Sequence, residues 1–395
     1  MEFTQEQFAK HMRPITGSAI RDIFKLLAKP GMISFAGGNP SNSALEPEII
    51  SELSREVLAK YGTSLLQYGG TDGFGPLRES AAEFLRGDGV KCEAASILPV
   101  QGGSQAFDLL LKCLIDPGDV VLCESPTFLG AIQAMREYNA KLVPMPMDDE
   151  GVIVEAAEEL IKQHHPKLMY VIPTFQNPTG ITLSLPRRKA LAELADKYGV
   201  VIAEDDPYRD LRYAGEALPP IQSYDENGWV VYMSSFSKYI APGMRLGAAA
   251  VNNPILLRKM VIGKQSADVH SPLLTQAIVD AYLRKGLMPG HLARICGDYR
   301  VQLNAMLEAF RDFPAGTTHT VPQGGLFVWA ELPEGMDGMK VFNAAIENNV
   351  AFVPGTHFYT DGGHLNTLRL NFSMSDVPTI QTGMARLAQV IDSQR

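Results

Sequence analysis

Trp229-Val230-Val231-Tyr232-Met233-Ser234-Ser235-Phe236-Ser237-Lys238-Tyr239-Ile240-Ala241-Pro242-Gly243-Met244-Arg245-Leu246-Gly247 passes from an apolar, β-prone run into a polar loop. The first five residues have the composition of a buried strand. A loop at a strand's end holds Lys238 against buried surroundings, with little room to reach water. An amine so placed can lose its proton and attack a carbonyl, forming a Schiff base. Ser235, Ser237 and Arg245 add hydroxyls and a fixed fork of N–H donors, which suit a phosphate. A carbonyl and a phosphate on one small molecule describe pyridoxal 5′-phosphate. Taken alone, the stretch reads more readily as a solvated surface lysine in a serine-rich loop, so the rest of the chain has to decide. Ser235-Phe236-Ser237-Lys238 also matches S-x-x-K of the serine acyl-enzymes. Pro242 and Gly243 interrupt the helix that motif requires, and the K-T-G that accompanies it is absent.

Working outward, the same texture recurs. Ile97 to Val100 leads into Gln101-Gly102-Gly103-Ser104-Gln105, then a helix with Ala106, Leu109, Leu110, Cys113 and Leu114 on one face. Asp119 to Cys123 is an expected strand, followed by Pro126-Thr127-Phe128 and a helix. Leu168 to Ile172 ends in Pro173-Thr174-Phe175-Gln176-Asn177-Pro178-Thr179-Gly180. A helix then runs from Ser184 to its stop at Gly199. Val200 to Ala203 ends in Glu204-Asp205-Asp206-Pro207-Tyr208. Apolar strands spaced by helices predict an α/β fold, a mainly parallel sheet covered on both sides, with ligands at the carboxyl ends of the strands. The polar residues fall at just those ends, and their convergence outweighs any single motif. Residues 253–285 read as helical. A long helix over 290–310 opens a smaller α+β unit with strands at Gly325 to Trp329 and Thr367 to Phe372. The expected division is an N-terminal arm that is also part of the small domain (1–45), a large domain (46–288) and a C-terminal small domain (289–395).

The totals agree with an enzyme of ordinary composition. Of 395 residues, 46% are hydrophobic and 20% charged, and the net charge of −9 argues against general binding to nucleic acid or anionic membrane. No apolar run approaches membrane-spanning length and no signal peptide is evident, so the cytosol is the expected compartment. The four cysteines are scattered without C-x-x-C, and no metal site is indicated. Neither G-x-G-x-x-G after a strand nor a P-loop occurs.

Over nearly its whole length the chain resembles the fold-type I pyridoxal-phosphate aminotransferases, class I/II, and among them the 2-aminoadipate/kynurenine aminotransferase-like group. The resemblance rests on the order and spacing of several segments. These are Ser18-Ala19-Ile20-Arg21, Phe35-Ala36-Gly37-Gly38, Gln67-Tyr68-Gly69, Gly103-Ser104-Gln105, Gln176-Asn177-Pro178-Thr179-Gly180, Glu204-Asp205-Asp206-Pro207-Tyr208, Ser235 through Arg245, and Leu368-Arg369-Leu370. It implies that Lys238 joins the cofactor covalently and carries protons, that Asp205 keeps the pyridine nitrogen protonated, and that Asn177 and Tyr208 hydrogen-bond the phenolic oxygen. Gly103, Ser104 and Gln105 at a helix N-terminus, with Ser235, Ser237 and Arg245, would hold the phosphate. Phe128, where the family often has tyrosine, would stack on the ring. Tyr68 would reach the phosphate from a second copy, making the active site a property of a homodimer. Arg369 would grip the substrate carboxylate, helped near Gly38. Arg21 could meet a side-chain carboxylate, although a solvated helix face explains it nearly as well.

The expected reaction moves an amino group from an L-amino acid to a 2-oxo acid, 2-oxoglutarate being the expected acceptor. The donor range is either broad or directed to 2-aminoadipate, aromatic or branched-chain amino acids. The alternative on the same fold is a β-eliminating lyase. A transcription regulator sharing this domain would need a DNA-binding module, and none fits before residue 33.

Overall fold

The computed structural model describes residues 3–13, 15 and 31–395. The segment Ser18 to Arg21, and with it the candidate Arg21, lies outside the described residues. In chain order the strands are β1 Ile33–Ser34, β2 Ile97–Val100, β3 Val120–Ser125, β4 Lys141–Asp148, β5 Gly151–Val152, β6 Leu168–Val171 and β7 Val201–Asp205. They continue as β8 Val230–Ser235, β9 Gly247–Ala250, β10 Thr318–His319, β11 Phe327–Glu331, β12 Val350–Ala351, β13 Val353–Pro354 and β14 Thr367–Asn371. The helices are α1 Pro47–Tyr61, α2 Gly75–Gly87, α3 Gly103–Leu114, α4 Leu129–Glu137, α5 Val154–His164 and α6 Leu185–Tyr198. After them come α7 Pro254–Ala267, α8 Leu273–Arg284, α9 Leu287–Ala309, α10 Gly338–Glu347 and α11 Val377–Ser393.

Eight strands form the central sheet in the order β2-β9-β8-β7-β6-β3-β4-β5. The run β8-β7-β6-β3-β4 is parallel throughout. Its strands are apolar on both faces because helices cover both sides, so the sequence shows continuous runs rather than alternation. The sheet is α/β as expected, but three of its strands, β4, the two-residue β5 and β9, were not legible. Gly247-Ala248-Ala249-Ala250 carries no β-branched residue and reads as helix-forming. It is a strand because the loop over 236–246 is too short for a crossover, so the chain turns back antiparallel beside β8. β4 contains Pro144 and Pro146, which argue against a strand by pattern alone.

The remaining strands build the second unit. A four-stranded antiparallel sheet, β10-β11-β14-β13, packs with α9 to α11, and a short parallel pair joins β1 to β12. Period two in β14 sets Arg369 with Thr367 and Asn371 on the face opposite Leu368 and Leu370, a pattern typical of a half-exposed strand, yet every residue of this strand is buried.

Polar anchors set the loops that leave β6 and β7. Arg188, on α6 and fully buried, donates from Nε to the carbonyl of Leu183 (2.9 Å) and from Nη1 to that of Pro219 (3.1 Å). Its Nη2 donates to the carbonyl of Pro173 (2.7 Å) and to Thr174 Oγ1 (3.1 Å). Burial lowers its pKa to about 10, against the pull of Asp206 and Glu204. One guanidinium thus fastens both ends of the loop that carries Asn177. Arg188→Met would leave these buried acceptors unpaired. We expect it to lower the unfolding free energy by about 3–5 kcal/mol, measured by urea denaturation.

Candidate active site

The carboxyl ends of β6, β7 and β8 open into a cavity of about 310 Å³, roofed by residues of the second unit. Strand register decides what meets there. β7 and β8 are parallel with Asp205 opposite Met233, so Asp205 and the Lys238 loop leave the sheet side by side. Tyr170 on β6 pairs with Ala203, two residues before Asp205 and therefore on the same face. Its hydroxyl donates to Asp205 Oδ2 at 2.6 Å.

Lys238 is walled in, and its Nζ donates to the carbonyl of Gly38 at 2.6 Å. Burial first, and then the charges of Arg369 and Arg245, lower its pKa to about 8 against the opposing pull of Asp205. Asp205 is pushed the other way, to about 6, chiefly by burial; Tyr170's hydrogen bond and the Lys238 charge partly restrain the rise. The two groups therefore line one cavity and feel each other's charge.

A cup of donors lies at one end. Gly103 and Ser104 open α3, where first-turn N–H groups have no intrahelical acceptor. Gly102 adopts φ +81°, and a Cβ there would sit 2.8 Å from Arg245 Nη2, so only glycine lets the guanidinium close over the turn. Arg245 donates from Nη2 to the carbonyl of Gln101 (3.1 Å) and from Nη1 to Ser237 Oγ (3.4 Å). It does so from a left-handed backbone at φ +48°, a conformation that costs a non-glycine residue about 1 kcal/mol or more. Ser235 Oγ accepts from the Ser237 N–H.

At the other end Arg369 is buried between rings, its guanidinium carbon 4.2 Å from the Phe327 centroid and 5.1 Å from that of Phe358. It donates to Asn177 Oδ1 (2.9 Å) and to the carbonyl of Ala36 (2.8 Å), while its buried Nε finds no partner among the described residues. Burial lowers its pKa to about 10. Asn177 Nδ2 in turn donates to Tyr208 Oη at 3.4 Å. The charged residues lining the cavity are three cations and one carboxylate, so an acidic protein carries a locally cationic pocket.

Twelve of the residues singled out from sequence line this cavity: Gly38, Gly103, Ser104, Phe128, Asn177, Asp205, Tyr208, Ser235, Ser237, Lys238, Arg245 and Arg369. Gln105 does not. Its N–H closes onto the Gly102 carbonyl, and its side chain turns away into a separate buried network. Tyr68 stands 80% exposed, edge-on to His270 rather than in this cavity. Sequence reasoning missed Tyr170, which sat in an apolar run with no mark of its contact with Asp205. It missed Phe327 and Phe358 for the same reason. Gly130 was also missed: a Cβ there would come within 2.5 Å of the Phe128 ring, so the glycine fixes where that ring can lie.

These residues fit pyridoxal phosphate. Arg245, two serine hydroxyls and a helix N-terminus suit its phosphate, a buried amine its aldehyde, and a buried carboxylate its basic ring nitrogen. The partnerless Nε of Arg369 leaves a donor for an anion entering from the cavity.

Residues 30–387 match the family model described as aminotransferase class I and II. The chain is 40% identical over 397 residues to aromatic-amino-acid aminotransferase 1 of Thermococcus litoralis, covering 99% of this chain and 95% of that one. It is 40% identical over 390 residues to 2-aminoadipate transaminase of Thermus thermophilus, covering 98% and 96%. Among solved structures, it resembles Pyrococcus horikoshii kynurenine aminotransferase in complex with PMP (TM-score 0.94, 39% identity, 98% of each chain). It also resembles Thermus thermophilus alpha-aminoadipate aminotransferase complexed with N-(5′-phosphopyridoxyl)-L-leucine (TM-score 0.91, 38% identity, 98% of each chain).

The Lys238 shift has a stability consequence with a definite sign. Between about pH 8 and 10.5 the native protein binds fewer protons at this site than the unfolded chain, so stability rises with pH there. Below about pH 8 the burial penalty is fully present. Ligand-free Lys238→Met protein should therefore be more stable than ligand-free wild type at pH 7, by on the order of 2 kcal/mol. The gap should shrink as pH climbs from 8 to 10, measured by urea denaturation at each pH.

Proposed function

The chain belongs to the class I and II aminotransferases, and from that membership and the chemistry of its cavity we propose an exchange of amino groups between L-amino acids and 2-oxoglutarate, in two half-reactions sharing one site. It is a pyridoxal-phosphate-dependent enzyme acting on small amino and oxo acids. The observation that carries the reading is the meeting of an amine, a carboxylate, a phosphate cup and a buried arginine on one cavity. When bound, pyridoxal phosphate supplies an aldehyde to hold the amino group and an electron-withdrawing ring to stabilise charge on the substrate α-carbon.

The chain's own residues divide the remaining work. Lys238 Nζ, poised near pH 8, can take the proton that the α-carbon loses and return it, because both its charged and neutral forms are accessible near neutrality. Tyr170 donates to Asp205 Oδ2 and holds the carboxylate in one orientation, and Asp205 would keep a proton on the ring nitrogen of the bound cofactor. Asn177 and Tyr208 offer hydrogen bonds to the phenolic oxygen, and Phe128 covers one face of the ring. Gly103, Ser104, Ser235, Ser237 and Arg245 take the phosphate. Arg369, backed by Asn177 and the Ala36 carbonyl, receives the substrate carboxylate beside Gly38. Phe327 and Phe358 shield this ion pair from water, which strengthens it.

A homodimer completes the proposal. Leu66 is 72% exposed and Tyr68 80%, two large side chains that a second copy would cover. Tyr68 would then reach the partner's phosphate. Gln105 acts behind the cup rather than in it, and Arg21 remains the candidate for a side-chain carboxylate. The division into a large domain over 46–288 and a small domain formed by the arm and residues 289–395 belongs to the same reading. So does a cytosolic location, supported by four free thiols. The names of the relatives favour aromatic and 2-aminoadipate donors.

Lys238→Ala should abolish the covalently bound chromophore and reduce turnover by about a thousandfold or more. Unchanged turnover would refute the lysine's role. Arg369→Lys, which keeps charge but loses the fork, should raise KM for amino acids by roughly tenfold or more and leave cofactor binding intact. The eliminating alternative is separated by incubation with an amino acid alone. A transferase stops after one stoichiometric half-reaction, whereas a lyase releases ammonia and pyruvate continuously.

A further inference from the structure

Behind the donor cup lies a partly buried network with no part in the scheme above. Lys264, on α7, is completely buried. Its Nζ donates to Gln105 Oε1 (2.8 Å) and to both oxygens of Asp268 (3.0 and 2.7 Å). Asp268 Oδ2 accepts two further bonds, from Gln101 Nε2 (2.6 Å) and Gln105 Nε2 (2.7 Å). Gln105 Oε1 also accepts the backbone N–H of Gln101 at 2.8 Å. One ion pair thus grips both ends of the turn over 101–105, which contains Gly103 and Ser104 and whose Gln101 carbonyl holds Arg245.

An ordinary helix-end pair of this i,i+4 spacing lies in water and contributes little. In this one Lys264 has no exposed surface and Asp268 keeps 14% of its side chain exposed, and a pair so largely withdrawn from water is worth its burial only when its other hydrogen bonds are also met. Here every additional bond is spent on the turn. Among the described residues both glutamine amides donate to Asp268 alone, and Gly102 gives the backbone between them unusual freedom.

We propose that Lys264 and Asp268 are positioning residues for the phosphate: they hold the turn over 101–105 so that the Gly103 and Ser104 N–H groups and Arg245 converge on one point. This rests on the reading of the cup as the phosphate site. Neither residue touches the cofactor. Their effect is confined to the phosphate end, since Lys238 and Asp205 are carried by other strands.

The test is the ratio of the dissociation constants for pyridoxal and pyridoxal 5′-phosphate, measured by titrating stripped wild type, Lys264→Met, Asp268→Asn and Arg245→Ala. A general loosening of the fold would weaken both ligands alike and leave the ratio unchanged. We expect Lys264→Met and Asp268→Asn each to lower the preference for the phosphorylated ligand by about tenfold, the equivalent of one net hydrogen bond, with pyridoxal binding preserved. A wild-type ratio in the folded variants overturns the proposal. Should Lys264→Met fail to fold, the near-isosteric Asp268→Asn decides it alone. A wild-type ratio in Arg245→Ala would instead remove the phosphate cup, and the role of Lys264 with it.

Discussion

Lys238, Arg245, Arg369 and Asp205 line one cavity, and the electrostatic coupling among them is the constraint on which the site depends. A lysine denied hydration keeps its proton less firmly, and two neighbouring guanidinium groups weaken that hold further. The single carboxylate restores part of it but is itself pushed up by burial. The result is a pair whose protonation equilibria fall near neutrality, together with an excess of positive charge. An anionic ligand relieves that excess. The same arrangement burdens the ligand-free protein, as expected of sites where charge is held ready for chemistry.

Keeping these groups fixed requires polar atoms deeper in the protein to be satisfied. Glu124, at the end of β3, accepts from the Ile172 N–H and from Gln176 Nε2, both at 3.1 Å, tying the loop before Phe128 to the loop before Asn177. Burial pushes its carboxyl up to about 8. Glu204, immediately before Asp205, accepts the N–H groups of Ile221 (2.7 Å) and Gln222 (2.8 Å). Arg188 fastens the β6 loop from the helix side. Each anchor serves one of the loops that reach the cavity, so rigidity at the site is delivered loop by loop through buried hydrogen bonds.

The second unit contributes differently. Arg369 comes from β14, and Phe327 from β11, in a sheet separate from the one that carries Lys238 and Asp205. The carbonyls of Ala36 and Gly38 come from the chain just after β1, which is itself paired with β12. The arginine that would hold substrate and the lysine that would move the proton are thus brought together across two sheets.

By itself the sequence determined the α/β class and the apolar strands β3, β6, β7 and β8. It also determined that each of these ends in polar residues, because burial on both faces and ligand binding at strand ends leave marks in local composition. Twelve of its candidate residues line one cavity: most follow apolar strands, whereas Gly38, Phe128 and Arg369 were singled out through the family resemblance. Only the tertiary structure decided the contacts made across strands and sheets. Tyr170 touches Asp205 through parallel register, Gly130 makes room for Phe128, and Gln105 turns away from the cup toward Lys264. Gly247 to Ala250 becomes a strand through a short return loop, and Arg369 is buried between two rings although its strand alternates like a surface one. These outcomes depend on which segments become neighbours, and a residue's own surroundings in the chain carry no record of that.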